Sequence, residues 1–273
     1  MTRVLVTNDD GIDAPGLHAL AAAAVDAGFD VVVAAPATQS SGSSASILAE
    51  EADGRIRIER RELDGLEDVP AHAVRGGPGL IALIAARGAF GVPADLVLSG
   101  VNHGANVGRA ILHSGTVGAA LTGGIGGTWG LAVSLDVGIE PAACHWRTGA
   151  DAALRVVPAL LQRPRGAVVN VNVPNAPEIR GFVEAPLAPF GIVQTTLTEA
   201  DEHYVRLAVE DLPLTPTEDS DAALLADGWV TVTGIDPVSS CSFPLPDELA
   251  GRDQRTGFSA VTGSPPSAGS GTR

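Results

Sequence analysis

The chain has 273 residues, of which 45% are hydrophobic, enough for one large α/β domain with an elaboration or for two small domains. A formal net charge of −15 excludes a broad electrostatic grip on a nucleic-acid duplex, and no apolar run is long and Gly/Pro-free enough to span a bilayer. Two cysteines, Cys144 and Cys241, exclude a disulfide framework, and the scattered His18, His72, His103, His113, His145 and His203 argue against a zinc site.

The first strand starts almost at the amino terminus, leaving no room for a signal peptide, so a cytoplasmic protein is expected. Val4, Leu5 and Val6 form a buried parallel strand that ends in Asp9, Asp10 and the turn residue Gly11. Pro15 suits the first turn of a helix whose apolar face is Leu17, Leu20, Ala21 and Ala24. Both aspartates therefore stand at the carboxyl end of a strand, where open α/β sheets bind ligands. Adjacent carboxylates repel, and a shared cation offsets that; the plainer alternative is one helix cap and one solvated side chain.

Residues 30–36 give a second apolar strand, and the spacing is that of a βαβ unit. The G-x-G-x-x-G fingerprint is missing from the first turn, which disfavours an NAD enzyme. The loop over 37–46 is rich in serine; composition alone reads it as a flexible linker, but its position brings a hydroxyl toward a metal at Asp9 and Asp10. Residues 54–75 alternate charged and β-branched side chains, as in an exposed strand or hairpin, and Gly76, Gly77 and Gly79 lead into an apolar helix over 80–84.

The strand at 95–100 discharges into a loop carrying Asn102, Gly104, Asn106 and Gly108, whose glycines permit close approach of a ligand. Ser114, Gly115 and Thr116 then open a helix of small residues, either binding a phosphate at its N-terminus or simply capping it. A strand at 130–135, a helix at 149–161 and a strand at 167–174 follow, with Asn170 and Asn172 expected to make cross-strand hydrogen bonds. Residues 182–211 form an extended excursion with paired strands at 194–197 and 204–209, read as an interface arm, with a long surface hairpin as the plainer alternative. Asp219, Ser220 and Asp221 cap a short helix through Leu225, and 229–233 is the last strand. The elements predict an α/β fold: a Rossmann-like three-layer arrangement with a mostly parallel sheet and a C-terminal β-hairpin and oligomerisation extension.

Several of these loops, taken in order, resemble the SurE family of survival-protein 5'/3'-nucleotidases. The matches are Thr7 to Gly11 with Ala14, Pro15 and Gly16; Ala35 and Pro36 followed by Ser41 and Gly42; Ser99 to Asn102 with Gly104 to Gly108; and Ser114 to Val117. Ala132 to Leu135 and Asn170 to Pro174 extend the likeness. The resemblance implies a metal-dependent phosphomonoesterase that hydrolyses nucleoside 5'-monophosphates, and 3'-monophosphates as well, through a metal-activated water. Asp9, Asp10, Ser41 and Asn102 would hold the divalent ion, Mg²⁺ or Mn²⁺, with Asp9 and Asp10 also catalytic. Asn106, Ser114, Gly115 and Thr116 would bind the substrate phosphate. The resemblance also implies a homodimer or homotetramer, with no nucleic-acid duplex and no membrane as partner. One domain is expected over 1–262, with a core to about residue 180, an extension over about 181–262 and a disordered tail over 263–273.

The chain departs from the family pattern at Gly76 to Pro78 with Leu80 and Ile81, at Thr122 where an acidic residue is usual, and at 189–193, which lack arginine. The alternative reading is a diverged metal- and nucleotide-binding protein with little turnover.

Overall fold

Val4, Leu5 and Val6 are fully buried in β1 (Arg3–Thr7), as a strand covered on both faces requires. β1 leads into α1 (Pro15–Asp26), which starts on a proline, and the chain returns parallel to β1 as β2 (Asp30–Pro36), pairing Val4 with Val31 and Val6 with Val33. This is the computed structural model of the chain, and it describes residues 1–40, 42–49, 51–138, 141–189, 194–200, 205–210, 217–236 and 238–240. The chain divides into units over Met1–Pro237 and Val238–Arg273, and every described helix and strand lies in the first. The tail expected from residue 263 lies outside the described residues.

After β2, a two-residue hairpin of β3 (Glu51–Ala52) and β4 (Arg55–Ile56) precedes β5 (Ile58–Arg61), an exposed edge strand. The exposed strand expected within 54–75 is present as β5, but the same stretch also contains β6 (Ala71–Val74), a core strand parallel to β2. α2 (Pro78–Ala85), β7 (Leu96–His103), a 3-10 helix over Gly108–His113, α3 (Gly115–Ile125), β8 (Trp129–Asp136), α4 (Trp146–Leu161) and β9 (Val168–Pro174) complete the parallel part.

β10 (Phe182–Glu184) begins the segment expected to leave the sheet, yet it stays in it, parallel to the last strand β13 (Val230–Ile235). Between them, β11 (Gln194–Ala200) and β12 (Val205–Glu210) form an antiparallel hairpin in a sheet of their own, followed by α5 (Asp221–Ala226). The main sheet runs β10, β13, β9, β8, β7, β1, β2, β6, β5, with β9 to β6 parallel and β13 and β5 antiparallel to their inner neighbours.

Alternate residues of the strands face two helical layers. Val4, Val6, Leu98, Val133 and Val171 pack with Leu17, Leu20 and Ala21 of α1 and Ala153 and Val157 of α4. Leu5, Val32, Ala34 and Val97 pack with Ile81, Ala82 and Ala85 of α2 and Ala119 of α3. The three-layer α/β reading is the observed fold. Strand order reverses between β1 and β7, so a crevice opens at their carboxyl ends.

Candidate active site at the ends of β1 and β7

The β1 turn is locked by Asn8, whose buried side chain bonds Gly11 twice: Oδ1 accepts from the Gly11 N–H at 3.1 Å and Nδ2 donates to its carbonyl at 3.0 Å. With both ends of the turn tied, Asp9 and Asp10 project in fixed and different directions. Asp9 is 6% exposed and lies at the N-terminus of α3, where the Thr116 hydroxyl donates to its Oδ1. Burial holds the Asp9 carboxyl above the ordinary carboxylate value, Thr116 pulls it back, and Asp10 raises it further. The more open Asp10 is also raised by burial, and its Oδ2 accepts from the His103 backbone N–H at 3.1 Å.

A bulge brings β7 to meet them. Ser99 pairs with Ala132 and Asn102 with Ser134, so β7 fits Gly100 and Val101 opposite one residue of β8. Gly100 has a φ of +139°, and a Cβ there would meet the Val133 carbonyl oxygen at 2.2 Å, so glycine alone fits the bulge. Asn102 beyond it gives its amide hydrogen to the Gly104 carbonyl at 2.7 Å, leaving Oδ1 without a partner among the described residues.

The loop that follows is held from beneath. Asn172 Oδ1 accepts from the Asn106 N–H at 2.8 Å, while Asn170 and Asn172 donate to the Asn106 carbonyl at 2.8 and 2.9 Å. The Asn106 side chain donates to Ser134 Oγ at 2.8 Å. The two β9 asparagines, expected to bond across strands, thus fasten the Asn106 loop instead. Farther along, the fully buried Asp221 of α5 accepts from the N–H groups of Gly108 and Ala188, each at 2.8 Å.

Asp9, Asp10, Asn102, Asn106 and Ser114 line one cavity of about 440 Å³, with Gln39, His103 and His113 also on its wall. Ser114 caps α3, accepting from the Val117 N–H at 3.1 Å. Gly115 and Thr116 form the layer behind: a Cβ on Gly115 would lie 2.7 Å from Asp9 Oδ2 and 2.6 Å from Ser43 Oγ. That Ser43 hydroxyl is buried and unpartnered among the described residues, and Ser41 lies outside them. The candidate metal donors converging here from Asp9, Asp10 and Asn102 are oxygens, and among the described residues no group of three His, Cys, Asp or Glu forms a metal cluster. Two carboxylates with neutral oxygens suit a hard divalent cation. Asn8, the β9 asparagines, His103 and Asp221 went unassigned as site residues in the sequence. Only Asn8 carried a local signal, an asparagine three residues before a turn glycine.

The family model for survival protein SurE matches residues 4–190, which contain all of these strand ends. The chain belongs to the SurE family. It is 41% identical over 196 residues to the 5'-nucleotidase SurE of Methanopyrus kandleri, covering 68% of this chain and 72% of the relative. Identity to the 5'-nucleotidase SurE of Xanthomonas campestris pv. campestris is 40% over 175 residues, 63% of this chain and 64% of the relative's length. The crystal structure of the SurE protein from Aquifex aeolicus superposes with a TM-score of 0.70 at 26% identity, covering 87% of this chain and 94% of that one. Where this SurE chain departs from the family pattern, Leu80 and Ile81 are buried core residues of α2 and Thr122 bonds back to the Gly118 carbonyl at 2.7 Å; residues 190–193 lie outside the described residues.

Proposed function

We propose that the chain is a metal-dependent 5'-nucleotidase that hydrolyses nucleoside monophosphates, 3' esters included, to nucleoside and phosphate. The observation that carries this reading is the convergence of two carboxylates, the Asn102 carbonyl oxygen and neutral phosphate donors on one cavity at the β1/β7 crevice. Relatives named 5'-nucleotidase support the substrate class. Asp9, Asp10 and Asn102 would hold Mg²⁺ or Mn²⁺ together with Ser41. Such an ion supplies positive charge to the phosphoryl oxygens and lowers the pKa of the attacking water.

The chain's own side chains do the rest. Asp9, whose carboxyl is held above its ordinary value by burial, orients the water and takes its proton. Ser114 accepts from Val117 and so keeps its own hydrogen for a phosphate oxygen. Asn106 gives one amide hydrogen to Ser134 and keeps the second, while the Gly115 and Thr116 end of α3 contributes its backbone field. The Thr116 hydroxyl acts through Asp9, which makes it a positioning group. In the same reading the protein is cytoplasmic and a homodimer or homotetramer through the β11–β12 hairpin. No helix among the described residues is long and apolar enough to cross a membrane.

The test compares phosphate release from AMP in the presence of Mn²⁺ by the native protein and by Asp9→Asn. The variant loses activity by about a thousandfold or more if Asp9 both holds the ion and handles the proton. Full metal-dependent activity in Asp9→Asn overturns the assignment. Tight nucleotide binding without release by the native protein points to a binding protein.

A further inference from the structure

A second cavity, of about 520 Å³, adjoins the first and shares Asp10, Gln39 and His103 with it. Its walls differ in kind. Ile12, Ala14, Pro15 and Ala37 make an apolar floor, and the His103 and Trp146 rings stand together with centroids 5.8 Å apart, tilted by 43°. Trp146 is seated by Gly16: a Cβ there would lie 3.1 Å from Trp146 Cε3 and 2.0 Å from the Val101 carbonyl oxygen. The start of α1, the end of β7 and the indole therefore meet with no space left between them. Trp146 remains half-exposed on its other side, and its indole N–H has no acceptor among the described residues. Asp13, exposed on the rim, likewise has no partner among the described residues.

We propose that this second cavity is the nucleoside subsite, in which the base lies against the His103–Trp146 pair and Asp13 accepts from a sugar hydroxyl; the proposal rests on the nucleotidase reading. Volume and lining suit a flat, uncharged group carrying a few donors. Charge sharpens the class. The chain contains no lysine, and among the described residues no arginine lines either cavity, while Asp10 and Asp13 flank the second. A second phosphate there would meet carboxylates, whereas a neutral nucleoside would not. The ligand is accordingly a nucleoside monophosphate, with its phosphate at Asn106 and Ser114 and its base beyond His103.

Two measurements test this separately from turnover. Adenosine, guanosine, cytidine and uridine, none carrying a phosphate, are titrated into metal-free protein while tryptophan fluorescence is followed. At least one quenches it, and the quench disappears in Trp146→Phe, which keeps Trp129 and Trp229. With Mn²⁺ present, the preference in kcat/KM for the corresponding nucleotide over ribose 5-phosphate falls about tenfold in Trp146→Ala and returns in large part in Trp146→Phe. Phosphate release from both esters with no preference and no quench removes the subsite and keeps the nucleotidase. Quenching that depends on Trp146, with release from neither ester, keeps the subsite and removes the nucleotidase.

Discussion

Asp9 is confined on every side that matters for its geometry: the Thr116 hydroxyl on one oxygen, the absent side chain of Gly115 beside the other, and the Asn8 turn beneath. Gly115→Ala would drive a methyl group to 2.7 Å from Asp9 Oδ2, and the carboxylate must move because the helix backbone behind it is fixed. Displacement of a catalytic group by about 1 Å costs roughly a hundredfold in rate. Gly115→Ala is therefore expected to lower kcat by about that factor while the far-ultraviolet circular dichroism stays native, which steady-state kinetics and a spectrum check together. The aspartate pair was legible in the sequence because adjacent carboxylates at a strand end have few uses. The work of the Thr116 hydroxyl was not, since turning it inward depends on α3 starting directly against the end of β1, a neighbour far away in sequence.

At the scale of elements, the site loop depends on parts of the fold that never face the ligand. Asp221 sits in α5, outside the residues that match the family model, yet its carboxylate holds the Gly108 and Ala188 N–H groups in the interior. Asp221→Ala leaves both donors buried without a partner and is expected to cost about 3 kcal/mol, read as a lower urea midpoint at unchanged slope. The sequence presented this residue as part of a helix cap, because nothing local reveals what a buried carboxylate bonds. Long apolar strands were legible for the opposite reason: β2 has the expected bounds of 30–36, β1, β7 and β8 fall where apolar runs place them, and β9 falls where valines alternate with Asn170 and Asn172. β6 and β10 were not, because four and three residues are too short to carry a period.

β6 also carries the pH dependence that the fold makes explicit. Burial, with Arg60 nearby, holds His72 below its ordinary value of 6.5. The unfolded chain takes up this proton first, so the contribution of neutral His72 is complete above pH 6.5 and declines as pH falls through the lower folded value. The urea midpoint of the native protein is expected to drop more between about pH 7.5 and about pH 5.5 than that of His72→Phe, which removes the titrating ring.

For the whole molecule, a net charge of −15 sets the field through which an anionic ester must approach. Among the described residues the lining of both cavities carries no arginine, so none of them offsets that field with a guanidinium. Raising ionic strength from about 0.01 M to about 0.1 M shortens the screening length from about 30 Å to about 10 Å. KM for a nucleoside monophosphate is therefore expected to fall over that range at saturating metal, the reverse of the trend for a basic phosphate-binding protein, as initial-rate measurements at each salt would show.

The proposed activity requires that the carboxylates of Asp9 and Asp10 hold a divalent ion in order to act on a phosphate ester. The most direct measurement is phosphate release from a panel of nucleoside monophosphates by chelator-treated protein, before and after addition of Mg²⁺ or Mn²⁺, with Asp10→Ala alongside. The expected result is release that appears only with the metal and is lost in the variant. Release that is equally fast in the chelated protein, or that survives in Asp10→Ala, would contradict the account.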